Sequence, residues 1–168
     1  MRYSNVKEVG VHPSAKLALL IANSEACFTG DEYVEPVHLL LAALNVVDDN
    51  YGDAARRIEL SPEEMAAVTE VAVKCRSMLT MSDEEVTSAR RGLRKQLSQG
   101  GEPIPFRYLN RSGELTLLLQ KAARRMHASG EEDLNLAHML EELLSSIPEE
   151  AAPFFADRDS STQKPLAE

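Results

Sequence analysis

The feature that most narrows what this chain can fold into is a repeat of itself. Displacing the sequence by 100 positions lays Ala15–Leu44 over Leu115–Leu144 without a gap. Leu17, Leu19, Ala22, Gly30, Glu32, His38, Leu40 and Leu44 meet Leu117, Leu119, Ala122, Gly130, Glu132, His138, Leu140 and Leu144. Thr29/Ser129, Asp31/Glu131, Val34/Leu134 and Leu39/Met139 are conservative pairs. Each copy reads as two helices joined by a turn, with glycine at the cap and histidine at the entrance of the second helix. One helix pair cannot bury its apolar face alone, so two copies packed together are the physical expectation.

Helix punctuation fills the rest of the chain. Pro13 and Ser14 open a run from Ala15 to Phe28 that Gly30 closes. Proline suits a first turn because its missing N–H has no helical partner there, and glycine adopts the left-handed conformation past a helix end. Glu35-Pro36 starts a second apolar run through Leu44. Ser61-Pro62-Glu63-Glu64 reads as a capping box leading a helix to Leu79, and Ser82-Asp83-Glu84-Glu85 repeats that signature before a charged helix to Leu97. Gly100-Gly101-Glu102-Pro103-Ile104-Pro105 breaks the chain. Helices follow over Leu115–Ser129 and, capped by Asn135, over Leu136–Ser146, with a short segment from Pro148 to Phe155. Gly52–Ala55 and Glu149–Ala152 match as a third helix, three residues out of phase. Period-2 alternation is scarce, so the expected fold class is all-α: two pseudo-symmetric helical repeats packed as one domain over residues 1–156. Repeat one covers 12–79, an inserted helix and linker 80–111, repeat two 112–156, and a polar tail 157–168.

A helix bearing Ala22 and Ala26, then Gly30, a short loop, Val34 and Glu35-Pro36-Val37-His38-Leu39-Leu40 resembles the Clp repeat. Two such repeats form the N-terminal domain of the Clp AAA+ unfoldases and disaggregases. Glu-Pro-x-His-Leu is closest to the disaggregase branch, and Ile104-Pro105-Phe106 looks like the family's connection between repeats. The resemblance spans Val11–Phe155 and is more specific in the first repeat. It implies a non-catalytic module that recruits substrate polypeptides or adaptors to a Clp-type AAA+ chaperone or protease. Stand-alone Clp-repeat proteins offer the alternative, an accessory or regulatory protein docking onto the Clp protease complex. The positions matching the family's shallow apolar groove for peptides or adaptors are His12, Ala18, Leu119, Lys121 and His138. Lys121 departs from the apolar character there. The branch that reads phosphoarginine carries Glu directly before each His; Val37 and Ala137 stand in those places, so that ligand is not expected. A repeat spacing of 100 exceeds the family's usual length, and the excess lies in Met81–Tyr108.

Composition and motifs close several other routes. A net charge of -9 repels phosphate backbones, and 5% aromatic residues with no Trp leave little for base stacking, so nucleic acid is not an expected partner. The four histidines, His12, His38, His127 and His138, lack the short spacing of a zinc site, and no cofactor is expected. A small metal protein or enzyme using His38 and His138 is the remaining alternative from another class; the plainer reading gives both a structural role in the turn. Cys27 and His127 share a repeat position, but no orienting group for a nucleophile is evident. The Walker A sequence for ATP phosphates does not occur. Arg90, Arg91, Arg94 and Lys95 form a basic cluster, read either as a solvated face paired with Asp83, Glu84 and Glu85 or as a docking patch for an acidic partner. Cys27 and Cys75 read as reduced thiols. Met1–Val11 lacks the apolar stretch of a signal peptide, and no run approaches the ~20 apolar residues of a membrane span, so a cytoplasmic protein without a membrane partner is expected.

Overall fold

A computed structural model describes residues 10–155; the tail assigned to 157–168 and most of the N-terminal stretch lie outside them. The described residues form seven α-helices, α1 (Pro13–Phe28), α2 (Pro36–Val47), α3 (Gly52–Arg57), α4 (Pro62–Leu79), α5 (Asp83–Ser98), α6 (Gly113–Ala128) and α7 (Leu136–Ser145), followed by a 3₁₀ turn (Glu149–Phe154). The fold is all-α, as the punctuation predicts. Helix α1 opens at Pro13 as read, and α6 begins two residues before the expected Leu115. The His12 ring caps α1, with the Ser14 N–H donating to Nδ1 at 3.1 Å, and Ser112 Oγ caps α6 by accepting from the Leu115 N–H at 3.1 Å. At α4 the capping box forms as read: Ser61 N–H donates to Glu64 Oε1, and Glu64 N–H returns to Ser61 Oγ, both at 3.1 Å.

The centre of the molecule is α2. Every residue from Val37 to Val46 is buried, and the helix packs against α1, α4, α5, α6 and α7. A helix that is apolar all round has no face to give to water, so it belongs in the middle. Each fully buried leucine among Leu39, Leu40, Leu41 and Leu44 contributes roughly 1.5–3 kcal/mol by leaving water.

Two very short parallel pairings tie the copies together. β1 (Gly10–Val11) lies beside β2 (Asp133–Leu134), and Val34 bridges Arg111. His12 N–H donates to the Leu134 carbonyl at 2.9 Å, and Ser112 N–H donates to the Val34 carbonyl at 3.0 Å. A displacement of 100 residues converts each bond into the other. The segment entering each copy is thus clipped to the turn of the opposite copy.

The inserted segment belongs to the core. Val86, Ala89 and Leu93 of α5 are buried, and the helix packs on α2 and on the 3₁₀ turn. After α5 the chain runs extended along α1. Ile104 N–H donates to the Cys27 carbonyl at 2.9 Å, and Val34 N–H donates to the Asn110 carbonyl at 2.9 Å.

Candidate functional site

Both entrance histidines are brackets of the turn. In the first copy, Glu35 N–H donates to His38 Nδ1 at 2.9 Å, so the ring carries its proton on Nε2, which lies 2.9 Å from Asp31 Oδ2. In the second, Asn135 N–H donates to His138 Nδ1 at 3.0 Å, and Nε2 meets Glu131. Both rings are buried. Each histidine therefore joins the start of its own helix to the loop behind it, with both nitrogens engaged. No group of three His, Cys, Asp or Glu side chains suited to a metal occurs among the described residues.

The five positions inferred for a peptide groove do not share one open surface. Ala18 is fully buried and His138 is 6% exposed, so neither is open to a ligand. His12 caps α1 with its ring, which burial holds below the ordinary imidazole pKa despite nearby Asp133, Glu70 and Glu131. Leu119 is half-buried, and Lys121 is exposed. Of the five, Lys121 alone lines an open cleft of about 600 Å³. That cleft lies between the entrance of α2, one face of α6 and the chain leaving α7. Its apolar floor comes from Pro36, Val37, Leu117, Leu118, Ile147 and Pro148, and its rim from Glu35, Glu114, Glu142, Glu149 and Glu150. Burial, then the neighbouring carboxylates Asp31, Glu150 and Glu114, outweigh His38 and push the Glu35 carboxyl above its ordinary range. Sequence reasoning missed this rim. The available signal was Lys121 standing opposite Ile21 in the repeat, a polar residue where a buried face requires an apolar one.

The basic cluster divides between two faces of α5. Arg90 Nε donates to Asp48 Oδ2 at 2.7 Å, while Thr87 Oγ1 donates to Asp48 Oδ1 at 2.6 Å. Burial alone would raise the Asp48 carboxyl; these two bonds overcome it and hold the group below its usual value. Arg94 Nε donates to Glu25 Oε2 at 3.1 Å, and its guanidinium lies 4.0 Å over the Phe28 ring. Arg90 and Arg94 are therefore paired with Asp48 and Glu25 rather than with Asp83, Glu84 and Glu85; Asp83 instead meets Arg76. Arg91 and Lys95 remain on the exposed face, along a shallow depression shared with Asp83, Glu84, Thr87 and Ser88.

The thiols are inert by position. Cys75 is fully buried, and desolvation pushes its pKa up to about 12; Cys27 is buried and donates to the Arg107 carbonyl at 3.4 Å. No helix among the described residues is long and apolar enough to cross a membrane. What the fold defines is an all-α protein of interlocked helix–turn–helix segments with an acid-rimmed cleft between them. No family model, curated protein or solved structure matches the chain.

Proposed function

We propose that this chain is a non-catalytic protein-binding module built of two pseudo-symmetric Clp-type repeats, recruiting substrate polypeptides or adaptors to a Clp-type AAA+ chaperone or protease in the cytoplasm. The observation that supports it is the cleft: about 600 Å³, open to solvent, apolar in its floor, and assembled from both copies. Its lining mixes six apolar residues with a rim of five carboxylates, so a segment seated there would meet both an apolar floor and charge. The brackets at His38 and His138 serve the turn, which weighs against the metal or enzyme alternative. In this reading the cleft holds the recruited segment and the interlocked copies keep its walls in register.

The test is affinity capture of the full chain with purified Clp-type ATPase, the protease core, and an unfolded client protein. Retention of a client or adaptor, and its loss in Leu117→Asp, is the expected result. Leu117 is 48% exposed, so the change does not strike the core. Failure to retain any of the three overturns the proposal. The alternative of an accessory protein docking on the protease complex draws on Arg91 and Lys95, whose side of α5 is open. It predicts retention of the protease or ATPase, lost in Arg91→Glu/Lys95→Glu and kept in Leu117→Asp.

A further inference from the structure

The cleft has a repeat-related counterpart on the side of the molecule where α4 packs. α4 lies against both α1 and α7, and Leu17, Ala18, Ile21 and Leu136 on those helices are buried. A displacement of 100 residues turns α1 into α6 and α7 into α2, and turns those four residues into Leu117, Leu118, Lys121 and Pro36. All four line the open cleft. No second copy of α4 follows the 3₁₀ turn within the described residues, and Leu117 is 48% exposed where Leu17 is 0%. The form of a suitable occupant is given by α4 itself, which buries Val68, Val71, Cys75 and Leu79 along one stripe.

The charge of the occupant is set by the rim. Five carboxylates face one ammonium, that of Lys121. Glu142 is already paired with Arg125, whereas Glu114, Glu149 and Glu150 form no ion pair among the described residues. Burial raises the Glu35 carboxyl first, and the neighbouring Asp31, Glu150 and Glu114 add to it.

Resting on the reading of this cleft as a polypeptide seat, we infer that it takes a cationic amphipathic helix of a partner protein, in the place that α4 occupies on the other side. The apolar stripe fills the floor between α6 and the entrance of α2, and Lys or Arg on the flanking turns meet Glu35, Glu114, Glu149 and Glu150.

Three labelled peptides of 18 residues, the length of α4, test this against the full chain by fluorescence anisotropy. They carry the same leucine stripe with Lys, Gln or Glu on the other positions. The Lys peptide binds most tightly and gains helicity on binding, the Glu peptide does not bind, and affinity falls as salt rises from about 0.05 to 0.5 M. Glu114→Gln/Glu150→Gln weakens the Lys peptide roughly fivefold, and Lys121→Gln tightens it about threefold, a gain that a damaged fold cannot produce. Equal affinity for the Gln peptide overturns the cationic preference and leaves the polypeptide seat standing. Lys-peptide binding unchanged by the charge-neutral Leu117→Gln means attraction to the overall charge of -9, which overturns the site. If no peptide binds while affinity capture succeeds, the inference fails alone; if both fail, the reading beneath it fails too.

Discussion

Asn23 holds Leu109 from the middle of α1: the Leu109 N–H donates to Asn23 Oδ1 at 2.8 Å, and the same amide returns a bond from Nδ2 to the Arg107 carbonyl at 2.8 Å. One buried side chain thus imitates a strand and pins an otherwise extended connector, residues 99–111, to the first copy. Asn23→Ala should cost about 1–2 kcal/mol, because both freed backbone groups lie near water and are partly resolvated. The sharper readout is local. Arg107 is exposed, so trypsin cleavage after it should accelerate in the variant well before the rest of the chain opens. Unchanged cleavage at Arg107 would mean that Cys27 and Val34 hold the connector without Asn23.

His38 and His138 repeat one arrangement, so their removal should have one effect. His38→Ala takes the side-chain acceptor from the Glu35 N–H, and His138→Ala takes it from the Asn135 N–H, each also emptying a buried ring site, while Asp31 and Glu131 stay open to water. Each should lower stability by about 2–4 kcal/mol in urea unfolding, with the two values within about 1 kcal/mol of each other. Stoichiometric zinc should leave the Tm of the unaltered chain where it was, since both nitrogens of each ring are already used. A zinc-dependent rise in Tm that disappears in His38→Ala would instead restore the metal alternative.

The Arg94–Glu25 pair carries a pH dependence whose sign follows from burial. Desolvation raises the Glu25 carboxyl, and Arg94 opposes it without fully cancelling it. A carboxyl whose folded pKa lies above its unfolded value costs stability once pH exceeds the unfolded value, and costs nothing below it. Arg94→Met removes the opposing charge, so the variant should lose roughly 2 kcal/mol at about pH 7.5 and much less near pH 4. Adding Glu25→Gln should recover most of the loss at the higher pH. A deficit that stays constant across this range would assign it to the stacking of Arg94 on Phe28 rather than to charge.

What the sequence conceals here is distance along the chain. The helices were legible because their signals are local: Pro13, Pro36 and Pro62 sit in first turns, and Gly30 and Gly130 both take positive φ. Arg90 and Arg94 looked like solvated charge because Asp48 and Glu25 lie 42 and 69 positions away. The pairing of β1 with β2 spans two residues on each side, too few for any alternation to register. For the candidate site the limit was different. Leu17 and Leu117 are the same residue in the same register, yet one is sealed and the other is 48% exposed. A sequence match cannot say which face a later helix covers; only Lys121 in place of Ile21 betrayed the difference.

Gly30 and Gly130 offer an internal control on how the two copies diverge. Both close a helix with positive φ, 73° and 75°, so an alanine at either place meets the same backbone penalty of about 1–2 kcal/mol. Their surroundings differ. A Cβ at Gly130 would have nothing within 4 Å, whereas one at Gly30 would strike the backbone of Glu102, part of the connector that only the first copy carries beside its turn. Gly130→Ala should therefore show the backbone penalty alone. Gly30→Ala should cost about 1–3 kcal/mol more, because a peptide group cannot swing aside as a flexible side chain does. The added loss should appear together with faster trypsin cleavage at Arg107, since the connector must lift to admit the methyl group. Equal losses at the two glycines, with Arg107 still protected, would show that the connector yields to the methyl group without cost.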